Sequence, residues 1–313
     1  MSKSIPPPSV PPAAIAEPPF ATSTFALAED GTRLFVRSTA PDDTESVRSF
    51  FCDGIGCDGF IWKHAWDVIA PLMPMTHWHY RGHGRSAPPQ VAENITIVDH
   101  AKDLQRVREG AGDPPCVIFG HSMGVQVALE AYRQNPEKIR ALVLVCGSYG
   151  KVTQTVRGVP IVEMILPSLL RFVDKYPDII RAVWTRVPHE MALRVAWKMG
   201  DLDPENGRIE DVLPYMAHMS SVDIGMFLRM LKAAGEHSAE DFLGDIRVPV
   251  LIVAAERDTF TPVWLSESMA RRIPESDYLM VPAGSHAAPV EQPEIVNAAF
   301  VKFLKERVHV GRE

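Results

Sequence analysis

Cysteine is scarce in this chain: there are four in 313 residues (Cys52, Cys57, Cys116 and Cys146), none in a Cys-x-x-Cys pair. Such sparse spacing argues against a disulfide framework and fits a reducing, cytoplasmic setting. Positive charge is not in excess either, since 32 Lys and Arg stand against 39 Asp and Glu, a formal net charge of −7. Nucleic-acid binders carry a basic patch or stripe, and this balance argues against one. No run of about 18 apolar residues occurs, so no membrane-spanning helix is expected. No internal repeat is evident. Apolar residues are present in ordinary proportion, 46% of the chain with 23% charged, enough for one large domain or one domain carrying an insertion.

Proline is unevenly spread. Seven of the 27 lie in the first twenty residues, where they interrupt every apolar stretch that could serve as the core of a signal peptide. Proline fixes φ and removes a backbone donor, so residues 1–21 are expected to form an extended arm of passive role. From Thr22 onward, short β-rich runs alternate with helical periodicity. The runs at Ala141–Val145 and Val250–Ala254 are near-continuously apolar, as in parallel strands covered on both faces. The pattern predicts helices over Ile97–Gly110, Met123–Gln134, Pro262–Ile273 and Pro293–Val308. It also predicts an antiparallel edge hairpin turning at Asp30-Gly31. The expected fold is α/β: a mostly parallel sheet of about eight strands flanked by helices. Between 148 and 239 the strand signal vanishes and helical runs replace it (162–176, 178–187, 189–199, 209–219 and 222–234), which predicts an all-helical cap. The core is then 22–147 together with 240–313.

The residues Gly120-His121-Ser122-Met123-Gly124 follow an apolar run and open a helix. Gly-x-Ser-x-Gly at a strand-to-helix junction is a nucleophile elbow: the tight turn presents the serine hydroxyl, and bulk at the glycines would strike the neighbouring strand and helix. The helix N-terminus adds free N–H groups and positive dipole beside any developing oxyanion. A serine needs a base and the base an orienting acid. Asp258 follows the strand ending near Ala254, and His286 follows the one ending near Val281, in the order Ser, Asp, His. Glu256 competes with Asp258 for the acid's role.

These motifs resemble the α/β-hydrolase superfamily, and in particular its capped serine esterases and lactonases. Asp53-Gly54-Ile55-Gly56 matches that family's oxyanion loop, and Arg81-Gly82-His83-Gly84-Arg85-Ser86 matches its Arg-Gly-x-Gly-x-Ser turn. The resemblance implies backbone N–H groups of Ile55 and Met123 as the oxyanion hole, with Ser122, Asp258 and His286 as the triad. Asp53 departs from the usual histidine, and His79 from an aspartate. A carboxylate facing the hole would oppose negative charge, so Asp53 is expected to be structural and held by backbone donors. His77, His79 and His83 lack a carboxylate or thiolate at ligand spacing, and no metal or other cofactor is expected.

The expected activity is hydrolysis of small to medium apolar carboxylic esters, lactones among them. Carbon–carbon bond hydrolysis or cofactor-free perhydrolysis by the same triad is the alternative, and a non-catalytic small-molecule binder is the third reading. The partner is a small-molecule substrate, with no nucleic acid or membrane. The cap is rich in methionine, and flexible thioethers make adaptable apolar walls. His121, Trp184, Trp197, Met226 and Met230 are the expected substrate-lining residues.

Overall fold

A computed structural model describes residues 19–41, 43–155, 161–184, 186, 203 and 207–311. Eight strands form one sheet: β1 (Thr22–Leu27), β2 (Arg33–Ser38), β3 (Arg48–Cys52), β4 (Met75–Trp78), β5 (Cys116–His121), β6 (Ile139–Val145), β7 (Val250–Ala255) and β8 (Ser276–Val281). Their order across the sheet is β1-β2-β4-β3-β5-β6-β7-β8, and β2 alone runs against the others. The chain therefore passes from β3 outward to β4 and returns on the other side at β5. That reversal opens a crevice at the carboxyl ends of β3 and β5, where open α/β sheets place their sites.

Alternation along the central strands explains why they read as unbroken apolar runs. On β6, Leu142 and Leu144 join one core, while Ala141, Val143 and Val145 join the other. Helices α2 (Ile97–Gly110) and α3 (Met123–Gln134) cover the first face, and α1 (Trp66–Ile69) and α11 (Pro293–Phe303) cover the second. A capping box starts α2: Thr96 accepts from the Asp99 N–H while the Asp99 carboxylate accepts from the Thr96 N–H, satisfying two otherwise orphaned donors. Between β6 and β7 lie only helices among the described residues: α4 (Val152–Thr155), α5 (Ile161–Lys175), α6 (Pro177–Trp184), α7 (Ile209–Ser221), α8 (Ile224–Glu236) and a 3-10 turn, Glu240–Asp245. The predicted helix at 189–199 lies outside the described residues, as does most of the N-terminal arm. After β7 come α9 (Val263–Arg272), then β8, α10 (Ala288–Glu291) and α11.

The closest backbone-to-backbone approach at a described glycine is between α3 and β3. A Cβ at Gly124 would fall 2.1 Å from the Cys52 carbonyl oxygen, and one at Gly120 would fall 2.3 Å from the Gly124 oxygen. Both clashes are with backbone, which cannot swing aside. Gly124→Ala should therefore destabilise the protein by on the order of 3 kcal/mol. Gly110→Ala, at a helix end with nothing within 4 Å, should raise stability by about 0.5–1 kcal/mol. Thermal melts of the two variants against the parent chain check the contrast, and equal melting points would refute it.

Candidate active site

Ser122 sits between β5 and α3 with φ 55° and ψ −118°, a conformation that costs a non-glycine residue of order 1–3 kcal/mol. Its N–H donates to the Val145 carbonyl at 3.0 Å, and its own carbonyl accepts from the Val125 N–H at 3.1 Å. These two bonds hold the strained turn with the side chain projecting from it. The Ser122 Oγ lies 2.9 Å from His286 Nε2, and His286 Nδ1 lies 2.9 Å from Asp258 Oδ2. Asp258 also accepts from the Phe260 N–H (2.9 Å), the Thr261 N–H (2.8 Å) and the Thr261 hydroxyl (2.7 Å). Burial pushes the Asp258 carboxyl up, but the charge and hydrogen bond of His286 and the Thr261 donors outweigh it and leave the group below its ordinary value. A carboxylate can only accept, so Nδ1 carries the imidazole proton and Nε2 offers its lone pair to the hydroxyl. The arrangement can move a proton from Oγ to the ring.

Glu256 does not compete for this place. Its carboxylate accepts from the Ala283 N–H at 2.7 Å, steadying the turn before His286. Glu291 holds the same loop from the other side, accepting from the Ser285 hydroxyl (2.7 Å) and the Ser285 N–H (3.1 Å). Nothing in the sequence motif marked Glu291, although it stands five residues beyond His286 on the helix that follows.

The oxyanion loop continues from β3. No hydrogen bond among the described residues occupies the N–H of Ile55 or of Met123, which leaves both free for an incoming anion. The neighbouring N–H, that of Gly56, donates to His83 Nε2 at 3.1 Å, and the ring's other nitrogen faces the Arg81 carbonyl at 3.0 Å. His83 is thereby a neutral ring, protonated at Nδ1, that ties the loop to the Arg-Gly turn. Gly54 is fixed by crowding, since a Cβ there would lie 3.1 Å from His121 Nδ1 and 3.2 Å from the Ser122 Cβ.

Asp53 is structural, as expected, but side-chain donors join the backbone one: Trp62 Nε1 at 2.9 Å and His77 Nε2 at 2.8 Å hold it together with the Gly59 N–H. Arg37 Nε donates to His77 Nδ1 at 3.0 Å, and because a guanidinium only donates, the His77 proton must sit on Nε2. The chain Arg37–His77–Asp53 is therefore a directed relay running beneath the loop. Asp53 does not line the catalytic cavity. Burial raises its carboxyl to about 7, with the Arg37 charge and the Trp62 hydrogen bond pulling it back. His79 binds the Arg85 N–H at 3.0 Å. Among the described residues, no group of three or more His, Cys, Asp or Glu is arranged to hold a metal ion.

Ser122 and His286 open into a cavity of about 400 Å³ whose walls are almost wholly apolar. His121 lines it, as expected. Its Nε2 donates to the His286 carbonyl at 3.0 Å, and burial, then the charge of His286, depresses the ring to about 3. Three expected lining residues do not reach the cavity. Met226 and Met230 face the sheet core, Met226 with its sulfur over Gly82. The next face of α8 supplies the wall instead, through Phe227 and Leu231. Trp184 donates to the Met219 carbonyl at 3.2 Å and borders a separate hollow between cap helices. Trp197 lies outside the described residues. Tyr215 and Met216 of α7 complete the roof, with Tyr215 stacked on Phe60 at 4.8 Å.

Residues 51–299 match the alpha/beta hydrolase family. This chain belongs to that family. The hydrolase is 26% identical over 82% of its length to the "Putative carbamate hydrolase RutD" of Escherichia coli (strain K12 / DH10B), covering 90% of that relative. Among solved structures it resembles an esterase from Exiguobacterium antarcticum, with a TM-score of 0.72 at 17% identity, covering 91% of this chain and 100% of that one. It also resembles the enol-lactonase of Burkholderia xenovorans LB400, with a TM-score of 0.72 at 19% identity, over 90% of this chain and 100% of that one. At those identities the likeness is one of fold.

Burial lowers His83 from 6.5 to about 3, with its bond to the Arg81 carbonyl opposing. The unfolded chain therefore binds the extra proton first. The contribution of His83 to stability is full above about pH 6.5 and declines as pH falls toward 3. Acidification from neutral to about pH 5 should remove roughly 2 kcal/mol through this one ring. Asp53, raised by burial, acts in the opposite sense, so the test is a difference. Urea midpoints of the parent chain should fall more steeply between pH 7.5 and 5 than those of His83→Gln, and parallel curves would contradict the assignment.

Proposed function

We propose that this hydrolase cleaves small to medium apolar carboxylic esters, lactones included, through an acyl-enzyme on Ser122. The observation that carries this reading is the unbroken line Asp258–His286–Ser122, with two successive separations of 2.9 Å, at the floor of an apolar cavity. Ser122 Oγ attacks the ester carbonyl while His286 Nε2 takes its proton. The oxyanion forms against the N–H groups of Ile55 and Met123, and each such donor is worth roughly 10²–10³ in rate. His286 returns the proton to the leaving alcohol. Water then enters, gives a proton to the same nitrogen, and releases the acid. The route needs no metal or organic cofactor.

Ser122→Ala should cut kcat for p-nitrophenyl butanoate by about 10⁴–10⁶ with the fold retained, because the covalent route is lost. Activity within tenfold of the parent would remove Ser122 from its role. Asp258→Asn should cost about 10³–10⁴ through the wrong imidazole tautomer, and Glu256→Gln far less. The reverse ranking would reassign the acid.

Residues 148–239 act as a cap in this reading, and α8 sets the acyl space. Phe227→Ala should move the optimum of a p-nitrophenyl ester series toward longer acyl chains, mostly through KM, with about 1 kcal/mol at stake per buried methylene. Met230, fully buried against the core, should behave differently. Its alanine variant should lose about 2–4 kcal/mol of stability and keep the parent chain-length profile. A shift in that profile on Met230→Ala alone would overturn the assignment of faces on α8.

A further inference from the structure

Phe260 stands two residues beyond Asp258, on the loop between β7 and α9. Its N–H donates to Asp258 Oδ1 at 2.9 Å, and Thr261 binds the same carboxylate through its own N–H and its hydroxyl. The acid of the triad thus fixes this loop, and with it the place of the Phe260 ring. That ring lies 5.0 Å from the His286 ring, at 47° to it, and lines the catalytic cavity. It belongs to none of the clusters of the hydrophobic core, and 38% of its surface is exposed. A large apolar surface therefore stands uncovered in the cavity wall, beside the base.

The reaction decides which part of a substrate meets it. One bond of the tetrahedral carbon goes to Ser122 Oγ, and another carries the oxyanion toward the N–H groups of Ile55 and Met123. The leaving oxygen must come within about 3 Å of His286 Nε2, which protonates it. The acyl chain takes the remaining direction, under α8 at Phe227 and Leu231. The wall beside His286, made by Phe260, Thr261 and Ala287, is consequently the wall of the alcohol half. The Thr261 hydroxyl is already spent on Asp258 and Ala287 is small, which leaves recognition to Phe260. We propose that Phe260 determines specificity for the leaving group, and that the preferred substrates are esters of aromatic alcohols whose ring packs against it. The proposal rests on the serine-hydrolase reading and supplies the alcohol half, which that reading leaves open. A ring carried one methylene from the leaving oxygen comes within aromatic contact distance of Phe260, about 4.5–7 Å between centroids.

Benzyl butanoate and cyclohexylmethyl butanoate test this on the parent chain. They share an acyl group, are close in size and release alcohols of similar acidity, so acyl contacts and intrinsic reactivity cancel. The benzyl ester should be preferred by about three- to tenfold in kcat/KM. In Phe260→Leu, which keeps apolar bulk without a ring, the preference should fall below about 1.5-fold, and in Phe260→Tyr it should persist at about threefold or more. A merely structural role for Phe260 would slow both esters by the same factor and leave their ratio as it was, and that result overturns the proposal. Equal kcat/KM for the two esters in the parent chain overturns it as well and leaves the hydrolase reading standing. So does cleavage of p-nitrophenyl butanoate with neither of these esters cleaved. If all three are inert, the hydrolase reading fails and this one with it.

Discussion

The contact on which the rest of the site depends is the packing of the first turn of α3 against the end of β3. Gly124 has no side chain, and its Cα comes so close to the Cys52 carbonyl that any Cβ would overlap it. Through that contact the nucleophile turn after β5 and the oxyanion loop after β3 become neighbours. The same contact places Ile55 and Met123 on one cavity, at the reversal point of the sheet. The strain in Ser122 is sustained because the packing of β3, β5 and β6 around it leaves no other arrangement.

Electrostatics beneath the site obey a second constraint. An acid beside an anion-binding loop is unfavourable unless its charge is occupied elsewhere. Asp53 is occupied by Trp62 and His77, and His77 in turn by Arg37. Phe20 and Trp66 flank that guanidinium at 4.6 Å, shielding it from water. His83 secures the next residue of the loop. Two neutral imidazoles with fixed tautomers thus brace the loop after β3. On the other side, Glu256 and Glu291 brace the turn that carries His286.

Local chemistry made the triad legible. A strand, a small-residue turn and a helix follow one another within a dozen residues at Ser122, and the parallel topology forces the acid and base onto the ends of β7 and β8. Helix α3 begins and ends as its periodicity says, and α5 to α8 begin and end within two or three residues of expectation, while the short α4 was not expected. Facing could not be read in the same way. Helix α8 is apolar on two adjacent faces, so Met226 and Met230 were as good candidates for the cavity as Phe227 and Leu231; only the position of the sheet decides. The partners of Asp53 come from β2, β4 and the turn before α1, separations that leave no trace in local pattern. Phe260 reads as an ordinary loop residue until the fold sets its ring 5.0 Å from that of His286.

The central claim is that Ser122 forms a covalent intermediate. Incubating the protein with a fluorophosphonate and mapping the adduct by peptide mass spectrometry tests it most directly. The account predicts one equivalent bound, on Ser122 alone, at a rate that falls when His286 is replaced by Ala. An adduct on any other residue, or none at concentrations that saturate ester hydrolysis, would contradict it.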